Sequence, residues 1–125
     1  MEDGISMSIE KGLKRGTIEL VLLTLLQRKD MYGYEICQEF GSQSNGLFTV
    51  TEGSLYPVLY RLLDKGYISD RSEKVGKRRT RVYYHLEPAG QEYLSEIKKE
   101  YISLNRGILL ALGYGDLEEF TNGKD

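Results

Sequence analysis

The apolar positions change period along the chain, and each change marks an element. Ile18, Val21, Leu22 and Leu25 recur at helical spacing behind Thr17, a capping residue, so a helix is predicted from Thr17 to about Arg28. Leu20, Leu23 and Leu26 fill the neighbouring arc. A helix apolar round most of its circumference is buried on more than one side, which predicts a contact beyond its own domain. KDMYG is a short turn into a second helix, from about Tyr32 to Gln43, and the polar, glycine-containing SQSNGLF is a loop. A third helix is predicted in TEGSLYPVLYRLLDKG. Thr51 or Ser54 caps it, Glu52 complements the positive end of its dipole, and Gly66 stops it. Its core face is Leu55, Val58, Leu59 and Leu62. The opposite arc holds Gly53, Ser54, Pro57, Tyr60, Arg61 and Asp64, a face suited to something flat, polar and anionic. A proline inside a helix loses a hydrogen bond and clashes with the preceding turn, so the regular helix is expected to start near Ser54, leaving Pro57 in its first turn.

The period then shortens. YISDR and RVYYHL are rich in Tyr, Ile and Val, and the SEKVGKRRT between them contains a glycine, so the pair is a β-hairpin. Val82, Tyr84 and Leu86 alternate towards the core, while His85 falls on the solvent side. Pro88 next opens a long helix, since proline is compatible with the first helical position. Leu94, Ile97, Tyr101, Leu104, Ile108 and Ala111 follow alternating steps of three and four, which is the seam of a coiled coil and predicts a partner helix. The expected organisation is residues 1–86 as one compact domain, 87–113 as a dimerisation helix and 114–125 as an acidic tail.

Charge sharpens this picture. The formal net charge is −2, yet Lys74, Lys77, Arg78, Arg79 and Arg81 crowd at and beside the hairpin tip with no acidic residue among them. A local cationic patch matters more for binding a polyanion than the total does. Other chemistry is sparse. The single cysteine, Cys37, excludes an internal disulfide and reads as a small buried hydrophobe. With a single histidine, no multi-histidine metal site exists, and no nucleophile–base pair is evident, so neither catalysis nor a cofactor is expected. The N-terminus lacks the basic and apolar regions of a signal peptide, and the stretch from Ile18 to Leu26 is too short to span a bilayer. A cytoplasmic protein away from the membrane is the expectation.

Three helices followed by a hairpin is the order of a winged helix-turn-helix, so the fold class is mainly α with a small β-hairpin, extended by the C-terminal helix. The major groove of duplex DNA admits one α-helix, and a flanking hairpin reaches neighbouring phosphates. Arg61 can donate to a guanine or a phosphate, and Thr51 and Ser54 can bond to either. The alternative from another class is a winged-helix protein-interaction module whose basic tip binds an acidic protein partner.

The stretches "MYGYEI", "TEGSLYPVLYRLLDKGYI" and "GKRRTRVYYHLEPAG" resemble the PadR family of bacterial transcriptional regulators, over roughly residues 13 to 94. The resemblance implies an N-terminal winged helix-turn-helix, a C-terminal dimerisation helix, and repression released by a small aromatic or hydrophobic effector. The short C-terminal region is similar to compact members with a single terminal helix. Tyr32 and Tyr34 fall where family members approach the DNA backbone. Thr51, Glu52, Ser54, Tyr56 and Pro57 fall on the recognition helix, and Lys77, Arg78 and Arg79 on the wing. Arg61 and Arg81 complete the expected DNA-binding set, and Leu94, Ile97, Tyr101, Leu104 and Ile108 the expected dimer seam. Glu87 departs from the threonine that members often carry before the last helix. Without tryptophan, an aromatic effector would stack on Tyr or Phe. The expected function is a sequence-specific, ligand-responsive repressor that binds a palindromic operator as a homodimer.

Overall fold

A computed structural model of the chain describes residues 16–115. The order of elements is α1 (Ile18–Arg28), β1 (Met31–Tyr32), α2 (Gly33–Gln43), α3 (Glu52–Asp64), β2 (Ile68–Lys74), β3 (Thr80–Leu86) and α4 (Pro88–Ala111). The strands form one antiparallel sheet in the order β1–β3–β2. Ile68 pairs with Leu86 and Lys74 with Thr80, while Met31 and Tyr32 pair with Tyr84 and Tyr83. Two units are compact by themselves, one running to Leu94 and one from Ser95.

The core of the first unit is built from the predicted stripes. Leu22, Leu23, Leu25 and Leu26 of α1, Ile36 and Phe40 of α2, and Leu55, Leu59 and Leu62 of α3 are buried together with Met31 and Ile68. The wide apolar circumference of α1 is largely taken up inside this unit, where it packs on α2, α3 and β3. Ile18, Leu20 and Val21 remain half-buried. Strand β1 was not expected. At two residues it has no period to read, and it exists because Met31 pairs with Tyr84.

The third helix starts earlier than Pro57 implied. Thr51 is its cap, accepting the Ser54 amide at 3.2 Å, and the helix begins at Glu52. Pro57 is therefore inside the helix rather than in its first turn. The acceptor it leaves unbonded is the carbonyl of Gly53, an exposed residue that water can reach, so the proline costs less than it would in a buried turn. At the other end Gly66, with φ at +75°, closes the helix. Its amide donates to the Leu63 carbonyl and that of Tyr67 to the Leu62 carbonyl.

The hairpin strands reach further than YISDR and RVYYHL, and the turn between them is Val75 to Arg79, closed by the Val75 amide on the Arg79 carbonyl at 2.9 Å. Tyr84 is buried and Leu86 half-buried, but Val82 is 39% exposed. The expectation that all three face the core is corrected at Val82. It pairs with Ser72 in the outer half of the hairpin, where all of β2 beyond Ser69 is exposed.

The compact unit also ends later than the predicted boundary between residues 86 and 87. A Cβ on Gly90 would lie 2.0 Å from the Tyr67 carbonyl oxygen, so the first turn of α4 sits directly on the backbone entering β2. Leu94, one turn further, is 1% exposed. Leu94 therefore belongs to the core of the winged unit and is withdrawn from the dimer seam. In the second unit Tyr101, Leu104 and Ile108 are exposed and Ile97 is half-buried. The helix closes at Gly113, with φ at +97°. Of the expected acidic tail, residues 116–125 lie outside the described residues.

Candidate nucleic-acid interface

The exposed arc of α3 begins at its cap. Thr51, Glu52, Gly53, Ser54 and Pro57 are all exposed, with the Thr51 hydroxyl donating to Ser54 Oγ at 3.2 Å. Tyr56 is half-buried because it leans on α2. A Cβ on Gly33 would stand 2.5 Å from its hydroxyl oxygen, so a larger residue there would displace the end of the Tyr56 side chain. Burial, and then the Glu52 carboxylate 3.5 Å away, push the Tyr56 hydroxyl above its ordinary range. It stays neutral and able to donate.

Gly33 is flanked by Tyr32 and Tyr34, whose rings stack at 6.5 Å. Together with Val75, Arg79, Thr80 and Arg81 they line an open cleft of about 360 Å³. The structure thus brings the start of α3, the tyrosines beside β1 and the wing into one continuous surface. Lys77, Arg78 and Arg79 are exposed in the turn. Arg81 stands apart from them: its guanidinium lies 4.2 Å from the centre of the Tyr32 ring, against the sheet. Tyr83 meets the same ring edge-on at 5.5 Å.

Arg61 is placed differently again. It lies at the C-terminal end of the exposed arc, and its Nη2 donates to Glu19 Oε2 of α1 at 2.8 Å. The other oxygen of Glu19 accepts from the Tyr93 hydroxyl. Burial, followed by this hydrogen bond, pushes the Tyr93 hydroxyl up to about 12.

A second polar node ties the wing to the turn after α1. Asp30 accepts from Arg71 of β2, and its other oxygen is 2.7 Å from His85 Nδ1 of β3. Arg71 also donates to Glu73 at 2.7 Å and lies over the Tyr83 ring. Burial alone would raise the Asp30 carboxyl, but the hydrogen bonds from His85 and Arg71 outweigh it and leave it below the usual carboxylate range. His85 is exposed, as its alternation implied, and joined to this node. Cys37 is half-buried rather than buried, and burial raises its thiol. Glu19 and Asp30 were missed in the sequence. Glu19 is the only carboxylate in a mainly apolar helix, which is a trace of a role, but its partners are 42 and 74 residues away.

Among the described residues no three His, Cys, Asp or Glu side chains are grouped to hold a metal ion. No helix among them is long and apolar enough to cross a membrane.

The profile of the PadR-like transcriptional regulator family matches residues 22–96, more than half of the chain. The chain is 37% identical over 93 residues to an uncharacterised protein of Lysinibacillus sphaericus, covering 74% of this chain and 85% of that one. Its structure is similar to a PadR family transcriptional regulator from Eggerthella lenta, with a TM-score of 0.75 and 26% identity over 90% of this chain and 96% of that one. It is similar also to Bacillus subtilis PadR in complex with operator DNA, with a TM-score of 0.60 and 25% identity. That match covers 64% of this chain and 45% of the Bacillus protein, so the chain spans less than half of that relative's length.

Proposed function

The chain belongs to the PadR-like family of transcriptional regulators, and from that premise we propose that it is a sequence-specific repressor acting as a homodimer on a palindromic operator. The observation that carries the reading is the continuous surface from the exposed arc of α3, through Tyr56, Tyr32 and Tyr34, to the cationic wing tip. The start of α3 enters the major groove, with Thr51, Glu52, Ser54 and Pro57 at its leading edge. Glu52 there disfavours phosphates and suits a cytosine amino group. Lys77, Arg78 and Arg79 neutralise backbone phosphates beside the groove, which supplies affinity without sequence preference. Tyr32 and Tyr34 take the backbone between these two contacts, and Arg81 acts by holding Tyr32.

A relative that is solved with operator DNA supports this assignment. The exposed Tyr101, Leu104 and Ile108 on one seam support a second copy as partner. Release by a small aromatic or hydrophobic effector is part of the same proposal, with tyrosines as its stacking surfaces, and the protein works in the cytoplasm. Selecting bound duplexes from a random pool tests the whole reading. A palindrome with half-sites about one helical turn apart is the expected product. Recovery of no preferred sequence, with tight binding to an acidic protein instead, would transfer the wing to the protein-interaction reading.

A further inference from the structure

Arg61 stands two turns beyond Ser54 on the exposed arc of α3, about 10 Å further along the helix axis. A guanidinium on that arc is free to turn to solvent, as those of the wing tip do. Instead it bends back to α1, where Nη2 lies 2.8 Å from Glu19 Oε2. Glu19 Oε1 accepts from the Tyr93 hydroxyl in the second turn of α4. One carboxylate on α1 therefore holds a donor from α3 and a donor from α4, one on each oxygen. The Tyr93 ring also lies flat on Tyr67, with centroids 4.4 Å apart and planes at 11°. The amide of Tyr67 closes the end of α3 on the Leu62 carbonyl. Two routes thus run from Tyr93 to the C-terminal end of α3, one through Glu19 and Arg61, the other through Tyr67 and Leu62.

Strength is not the main thing this joint supplies. The Arg61 side chain is 48% exposed and that of Glu19 14%, and an ion pair with its cation half in water adds modestly to global stability. What it does is geometric, because two donors from different helices share one small planar group and their positions become linked.

The geometry points to Glu19 as a positioning residue for DNA reading: it draws Arg61 off the reading arc, fixes the pitch of α3 against α1, and makes that pitch depend on Tyr93 of α4. The inference rests on the assignment of α3 as the reading helix. Arg61 is then a strut rather than a base or phosphate contact, and any shift of α4 at Tyr93 reaches α3.

The test uses the full chain as wild type, Glu19→Gln, Tyr93→Phe and Arg61→Ala, with amide hydrogen exchange and duplex titration as readouts. Tyr93→Phe keeps the ring on Tyr67 and removes only the hydroxyl. Exchange at residues 61–67 should rise severalfold in that variant, while α2 stays as in wild type. The selected duplex should bind about tenfold more weakly to Glu19→Gln and Tyr93→Phe, because an α3 no longer held at its pitch must be ordered when it enters the groove. Affinity for an unrelated duplex and the slope of log K against log salt should not change, a pattern that general destabilisation would not give. If Arg61→Ala makes that slope shallower by about 0.9, Arg61 is a phosphate contact and the inference falls. Unchanged exchange at α3 in Tyr93→Phe overturns the joint, and decides it even where Glu19→Gln does not fold. Should wild type prefer no duplex, it is the repressor reading that fails, and the exchange result still decides whether Tyr93 and Glu19 set α3.

Discussion

Gly90 carries no side chain because the Tyr67 carbonyl oxygen occupies the space that a Cβ would need. In an exposed helix, alanine would be favoured over glycine by about 1 kcal/mol. Here the sign should reverse: Gly90→Ala forces apart the first turn of α4 and the entry to β2, an overpacking cost of about 1–3 kcal/mol before the propensity gain is set against it. A thermal melt checks this, and a midpoint at or above that of wild type would mean that the close approach is not maintained. The wing tip obeys other rules. Arg78 and Arg79 are exposed, and under the proposed function they serve DNA binding, not folding, so Arg78→Ala or Arg79→Ala should leave the melt unchanged. Each should weaken all duplexes to a similar degree and make the salt dependence of log K shallower by about 0.9. Two variants with wild-type slopes would remove the wing as a phosphate clamp. Arg81 is the instructive exception in the same run of cations. Its place over Tyr32 could not be read from a charge pattern, since strand pairing brings together residues far apart in sequence.

At the scale of elements, the helices and the hairpin were legible because each carries a repeating period, and α3, the hairpin turn and the start of α4 are also marked by a glycine or proline. Gly66 marks the end of α3 closely, while its start at Glu52 lies two residues before the start near Ser54 that Pro57 implied. What was not legible has no period: the two residues of β1, and the polar nodes at Glu19 and Asp30, whose partners lie 41 to 74 residues away. The seam of α4 shows the deeper limit. Leu94 and Leu104 occupy the same repeat, yet one is buried in the winged unit and the other is exposed. A period reveals which face of a helix is apolar and says nothing of which neighbour covers it. The Asp30 node gives the wing a pH dependence whose sign is fixed. Its folded carboxyl lies below the unfolded value near 3.9. The node therefore stabilises the folded state above about pH 4 and loses that contribution as the pH falls through the folded value. Asp30→Asn should lower the urea midpoint at about pH 5, and its difference from wild type should shrink as the pH is taken below about 4. A difference that stays constant across this range would assign the loss to packing instead of charge.

For the molecule as a whole, the proposed repressor needs two reading helices held at a fixed spacing, so that two weak half-site contacts act as one strong one. With Leu94 assigned to the core, the surfaces left to hold that spacing are Ile97, Tyr101, Leu104 and Ile108. Leu104 is 65% exposed in the single chain, so replacing it removes little from the chain's own packing. Leu104→Asp would place a carboxylate in an apolar contact between two copies, at a cost of several kcal/mol unless the contact opens. Sedimentation should then give monomer at micromolar concentration, and affinity for the selected palindrome should fall towards that for unrelated DNA. The winged unit should keep its helical signal and its thermal midpoint. Leu94→Asp makes the contrasting case, because the same substitution ten residues earlier enters a site that is 1% exposed and should unfold the winged unit itself. The pair of variants separates assembly from folding along one helix. A dimeric Leu104→Asp that binds its operator normally would rule out the seam, and the half-buried Ile18, Leu20 and Val21 of α1 would become the surface to test next.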